Sequence, residues 1–285
     1  MNIRLLADTS PWEWPDNAAD LLKQTLRSGP PSDRRIAAEL SGELVVMDDE
    51  MAELLLGIVS NSTESDEMRA TAAIALGPVL EQTEMDGFDD PFLEDIGENP
   101  PITEETFEKI KATLHGLYKA TLHGLYKDES ARKLVRRHVL EASVRADADW
   151  HAEAIRTAYG GADKDWKLTA VFAMRYVPGF EEEILQSLNS DNEEIHYQAI
   201  KAAAAHEVSE AWPHIEGLLA SRTTPRRLLL AAISAAAYVS PEEAGPALVD
   251  LSISKDEEIA QAAMQAMDEA EGMESAIGEE DQEYL

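Results

Sequence analysis

The chain has no cysteine, which removes disulfides, thiolate zinc sites and thiol nucleophiles together and fits a reducing compartment. Positive charge is scarce: 24 Lys and Arg stand against 56 Asp and Glu, a formal net charge of -32. A field of that sign disfavours nucleic acid, whose phosphates it repels. Long apolar runs are missing too. The longest, LLLAAISAAAYV at residues 228–239, falls short of the roughly 20 residues a membrane span requires and reads as a buried helix. The opening MNIRLLADTSPWEWPDN holds no apolar core of signal-peptide length, so the expectation is a cytoplasmic protein without a membrane partner. There is no HExxH, no phosphate-cradling glycine loop and no nucleophile elbow. The motifs therefore supply no catalytic, cofactor-binding or metal-ligating set.

What is present is a repeated pattern. In SDEMRATAAIALGPVL, residues 65–80, the apolar anchor Met68 has Ala72, Ala75, Leu76 and Val79 on the same helical face, and Ser65 three residues before it suits an N-cap. The template recurs at anchors Ile36, Ala131, Trp166, Ile195, Leu228 and Ile259, which makes seven units. The residue three before the anchor is Asp33, Ser65, Asp128, Asp163, Asn192 or Asp256; at Leu228 it is Pro225, with Thr224 as the cap. A shorter apolar pattern precedes these helices, as in Leu21, Leu22 and Leu26, or Leu54, Leu55 and Ile58, or Ile184, Leu185 and Leu188. Successive anchors lie 32, 63, 35, 29, 33 and 31 residues apart, a period that a helical hairpin fills, with one long interval.

Asp or Asn opening an alanine-rich second helix, as in SDEMRATAAIALG and DNEEIHYQAIKAAAA, resembles the HEAT repeat, over roughly residues 17–270. The resemblance implies an all-α fold, a right-handed α-solenoid of about seven hairpins, and most often a scaffold for another protein. Met68 is followed by Arg69, but Ile195 by His196 and Ile259 by Ala260. The basic residue common after the anchor in this family is thus often missing, which argues against a ladder of Asp-to-Arg bonds between units. The whole, residues 1–285, reads as a single solenoid domain. It comprises a terminal cap (1–16), repeats 1–2 (17–82), an acidic insert (83–102), repeats 3–7 (103–270) and an acidic tail (271–285). The tail has too little apolar area to offset the entropy of ordering. Trp12 and Trp14 are expected to cover the first repeat.

The long interval has two causes. One is the insert, where residues 81–100 carry eight acids and no base together with Phe88, Phe92, Leu93 and Ile96. It can fold back on the solenoid or dock on a partner. The other is an identical tandem repeat, KATLHGLY at 111–118 and again at 119–126. Eight residues advance a helix by about 12 Å and turn it by about 80°, so only one copy can keep the original apolar stripe. Beyond it, DESARKLVRRHVLEASVRA holds the concentrated positive charge: Arg132, Lys133, Arg136 and Arg137 oppose a face of Ala131, Leu134, Val135, His138 and Ala142. In the family the second helix of each pair lines the concave surface, so the resemblance implies that these four face the groove. With Phe88 and Phe92 they are the candidate partner-binding residues, and the partner expected is another protein.

The alternative is a HEAT-like enzyme, a metal-dependent lyase or hydroxylase. Glu193 with His196, and the adjacent His206 and Glu207, are the carboxylate–histidine arrangements to weigh. The second is similar to the pairs of deoxyhypusine hydroxylases, HEAT-like di-iron enzymes that use several; one pair falls short of a di-metal site. His151 opens an HAE stretch similar to the start of a zinc deaminase signature, which also needs cysteines.

Overall fold

The computed structural model describes the backbone of residues 3–88, 100–122 and 129–283, and the side chains within these outside 120–132 and 274–283. The described residues are all-α, with no strand among them. They form two compact units, Met1–His151 and Ala152–Leu285.

The first unit holds α1 (Ile3–Ala7), α2 (Ala18–Ser28), α3 (Pro31–Leu40), α4 (Asp49–Ser60), α5 (Asp66–Ala75), α6 (Gly77–Asp86), α7 (Glu104–Leu122) and α8 (Glu129–Ser143). Hairpins α2/α3, α4/α5 and α7/α8 stack so that α3, α5 and α8 form one layer and α2, α4 and α7 another. The second unit holds α9 (His151–Gly160), which opens at the boundary, then α10 (Lys164–Ala173), α11 (Glu181–Ser187), α12 (Glu193–Ala205), α13 (Trp212–Ala220), α14 (Arg226–Val239), α15 (Pro241–Ser252) and α16 (Glu257–Glu283). Here α10, α12, α14 and α16 stack in one layer, with α13 and α15 neighbours in the other. Both units follow the packing plan of an α-solenoid, in which each hairpin buries its apolar faces on the hairpins beside it.

Local chemistry explains where the helices start. Ser65 accepts from the Met68 amide, Asp163 from Asp165 and Trp166, Asn192 from Glu194 and Ile195, and Asp256 from Glu258 and Ile259. Each cap satisfies amides that lack a helical partner and is worth about 1 kcal/mol. Two expected caps do something else. Pro30 precedes α3, which begins at Pro31 because proline suits a first helical position, so Asp33 falls inside the first turn and pairs with Arg4 at 3.4 Å. Thr224 donates its hydroxyl to the Leu218 carbonyl at 2.8 Å and leaves Pro225 at the cap of α14. Asp128 lies outside the described residues.

Bonds between repeats do occur, and two of them use an arginine two residues before the anchor. Arg34 grips Glu64 with two bonds of 3.1 and 2.7 Å, 30 residues apart, and Arg226 reaches Asp256 at 3.0 Å across the same separation. The planar guanidinium matches the carboxylate fork, so these pairs fix repeat spacing as well as add energy.

At the N-terminal end, Trp12 is 85% exposed and covers nothing. Ile3 and Leu6 of α1 are the buried side chains there, because α1 packs on α3 and presents its apolar pair to it. Trp14 is half-buried and donates its indole N–H to the Leu6 and Thr9 carbonyls at 3.0 and 3.2 Å, tying the segment to α1. Within the insert, Phe88 turns back and meets Phe107 edge-on at 5.7 Å. Phe92, Leu93 and Ile96 lie outside the described residues.

The tandem repeat lengthens a first helix. α7 has 19 residues where α2 has 11 and α4 has 12. The first copy sits in the packed stripe, with Leu114 fully buried and Tyr118 at 7% exposure. The helix continues past it through Leu122, and the rest of the second copy lies outside the described residues.

The acidic tail is helical as far as Glu283, contrary to the entropic expectation. A helix already nucleated needs only propagation to continue, and Glu, Ala, Met and Gln propagate well without burial. The last buried side chain on α16 among those described is Ala270. Truncation after Gly272 should therefore change unfolding free energy by less than about 0.5 kcal/mol. A larger loss in denaturant titration would show that residues 273–285 pack on the preceding repeat.

Candidate functional site

A cavity of about 350 Å³ opens within the second unit, lined by Arg175, Lys201, Ala204, Ala205, Glu207, Ala231, Ser234, Ala235 and Tyr238. Its construction follows from the repeat. Counted from the anchors, Lys201 and Ser234 both stand at plus 6, Arg175 and Ala204 at plus 9, and Ala205 and Tyr238 at plus 10. Equal offsets on stacked helices place side chains on one face. The site is thus one face of α12 and α14 with the turn after α10, read across three consecutive repeats. Ala204, Ala205, Ala231 and Ala235 keep that face low, and the charges stand on it.

Two cations meet here. The Lys201 ammonium is held below its usual range, first by burial and then by the positive charge of Arg175. No carboxylate lies within ion-pair distance of either among the described residues, whereas nearby arginines are paired: Arg226 with Asp256 and Glu258, Arg227 with Glu194. On the rim, the Tyr238 phenol is pushed up by burial and by the Glu269 carboxylate, to which it hydrogen-bonds.

The rim also carries a backbone outlier. Glu207 has φ +50, in the left-handed region, at the end of α12. Val208 N–H bonds the Ala203 carbonyl at 3.0 Å and Glu207 N–H bonds that of Ala204 at 3.2 Å, the pair of bonds that closes a helix on a left-handed residue. Glycine ordinarily fills that place because a Cβ costs about 1 kcal/mol there. Glu207→Gly should therefore raise stability by about that amount in denaturant unfolding. A fall instead would mean the carboxylate makes a contact that outweighs the strain.

His206 supports the site from behind. Its Nε2 lies 2.6 Å from the Met174 carbonyl, and since a carbonyl only accepts, the proton is on Nε2. The bond pins the turn that carries Arg175. His206 and Glu207 therefore part company, one to the backbone and one to the cavity rim. His196 meets His214, not Glu193, with Nε2 atoms 2.7 Å apart, one ring donating and the other accepting. Burial pushes both imidazoles down. Among the described residues no three His, Asp or Glu groups converge as a metal site would require.

In the basic segment of α8, side chains are described from Lys133 onward. Arg136 stands over the Tyr118 ring of α7, 5.2 Å from its centroid. Arg137 is 3.8 Å from Glu141 with its side chain 14% exposed. Lys133 is half-buried, and the Arg132 side chain lies outside those described. His138 is half-buried and its Nδ1 meets the Leu134 carbonyl at 2.9 Å, a packed and bonded histidine. Arg137 occupies the same repeat position, plus 6, as Lys201. It has a glutamate one turn on where Lys201 has Ala205.

No family model and no curated protein matches the chain. Solved structures with a similar course include human deoxyhypusine hydroxylase in complex with glycerol, at 13% identity and TM-score 0.41, covering 91% of this chain and 86% of that one. YibA of Escherichia coli matches at 17% identity and TM-score 0.43, over 93% and 90% of the two chains. An engineered protein matches at 16% identity and TM-score 0.41, over 89% and 78%. At these identities and scores the likeness carries no argument about activity. No helix of the described residues is long and apolar enough to cross a membrane.

Proposed function

We propose that the chain is a HEAT-like scaffold of the cytoplasm that binds another protein along the α12 and α14 face and the turn after α10, with the acidic insert as a second contact. The observation that carries this reading is the set of four alanines, Ala204 and Ala205 of α12 with Ala231 and Ala235 of α14, that line the cavity between the charged and polar side chains. It leaves a continuous low face with a cavity in it where bulkier side chains would have closed the surface. Helical-repeat proteins bind along such faces because each repeat holds its part of the surface rigid. The enzyme reading has no comparable support, since His206 commits its Nε2 to a backbone carbonyl.

The test is affinity capture with the full chain and with Ser234→Trp, an exposed α14 position on the cavity wall. Helicity and melting temperature serve as the check of folding. A protein retained by the wild type and lost with Ser234→Trp is the expected result. Retention by both would exclude this face. A third bait lacking residues 83–100 should bind more weakly, and equal binding would remove the insert from the interface.

A further inference from the structure

We infer that the cavity receives one anionic group, a carboxylate or phosphate, carried on a side chain of the bound protein; this rests on the protein-binding reading. The first reason is the uncompensated pair Arg175 and Lys201. A chain with 56 acids has no shortage of carboxylates, and Arg226 and Arg227 on the adjoining α14 use them. Two close cations without an anion repel each other, and an anion between them converts that repulsion into two charge-assisted hydrogen bonds.

The second reason is the comparison within the repeat. Arg137 has its own counter-charge in Glu141, whereas at the matching place beside Lys201 stands Ala205. The alanines also leave depth for a side chain to enter: about 350 Å³ is enough for an acidic side chain and its neighbours, and is within the usual range of ligand sites.

The third consideration defines the partner sequence. The chain's net charge of -32 repels an acidic protein at long range, and Glu207 on the rim repels a second acid beside the first. Screening confines the attraction of the two cations to about 8 Å at physiological salt. The segment that fits is therefore basic or neutral overall, with a single acidic or phosphorylated residue that enters the cavity.

The experiment titrates the full chain with capped pentapeptides, each with lysine at both ends and alanine beside a central Asp, phosphoserine or Asn. Inorganic phosphate is a competitor. The Asp and phosphoserine peptides should bind at least tenfold tighter than the Asn peptide, phosphate should displace them, and Arg175→Gln with Lys201→Gln should abolish the preference. Equal affinity for Asp and Asn, or a preference that survives the double substitution, overturns the inference. Binding of phosphate without any peptide preference overturns it too, since the group would then not come from a side chain. The double variant is also used as a capture bait. If it retains the partner that Ser234→Trp loses, the scaffold reading stands and the anion site falls; if both retain it, the scaffold reading falls.

Discussion

Between pH 6.5 and pH 4 the chain should lose about 3 kcal/mol of stability through one side chain, His151. This residue is 2% exposed, and its Nε2 has no hydrogen-bond partner. Its ring lies 4.4 Å from that of Trp150, which stacks on His115. Burial pushes its pKa down to about 4 from the ordinary 6.5, with His115 and Lys111 adding their positive charge and Asp147 opposing them. Above pH 6.5 the imidazole is neutral in both folded and unfolded chains and contributes no pH dependence. Below it the unfolded chain takes up the proton and the folded one does not, so stability falls by about 1.4 kcal/mol per pH unit until the folded pKa is reached. His115, His196 and His214 are pushed down as well, chiefly by burial, and add loss of the same sign. The carboxylates act in a different window. Asp49, bonded by Thr103 and Thr106, and Glu194, bonded by Arg227, lie below their ordinary values of 3.8 and 4.5, so what they contribute disappears only in more acidic solution. Denaturant unfolding of the wild type and of His151→Leu between pH 7 and 4.5 isolates the effect. Leucine has no polar atom to leave unsatisfied, so the variant should hold its stability at pH 7 and show a flatter acid limb. Identical slopes would mean that His151 is protonated in the folded chain and has found a partner.

Much of the fold was legible because caps and anchors are local. Ser65, Asp163, Asn192 and Asp256 could be read as caps since the amides they bond lie within three residues of them. Asp33 was misread because Pro30 and Pro31 start the helix earlier, a case of two start signals competing within one turn. Trp12 was misread because tryptophan is a common cover for an apolar end, yet the short α1 supplies that cover with Ile3 and Leu6. The site was less legible for a different reason. A run such as Arg132 to Arg137 stands out along the sequence, but Arg136 lies over Tyr118 and Arg137 beside Glu141, both within its own hairpin. Arg175 and Lys201 are isolated along the chain and meet only when repeats stack. The signal was available in the alignment on anchors: a cation at plus 6 without an acid at plus 10, and a second cation at plus 9 in the repeat before.

Leu114→Ala should cost about 3 kcal/mol, and the cost should be the same whether or not the second KATLHGLY copy is present. Leu114 is fully buried, and removing a buried leucine to the β-carbon loses transfer energy and leaves a cavity. The second copy offers an escape, since a slip of eight residues would bring the intact Leu122 into the vacated place. The same slip would put His115 in the place of Phe107 and Tyr118 in that of Ile110. Phe107 is 5% exposed and Ile110 fully buried, so each exchange costs an amount comparable with the leucine it rescues. Two losses outweigh one gain, and the register stays fixed. The measurement is a double-mutant cycle on denaturant unfolding, combining Leu114→Ala with deletion of residues 119–126. Deleting either copy yields the same polypeptide, so the deletion reports on the insertion itself and should preserve the fold. It should also raise stability, because the Leu114 and Tyr118 contacts survive without a second set of Leu and Tyr side chains to accommodate. A Leu114→Ala cost that is small in the full chain and large in the deletion variant would show that the second copy does take over, and that α7 slides between two registers. A stability loss on deletion alone would show that residues 119–126 pack as a further turn of the hairpin.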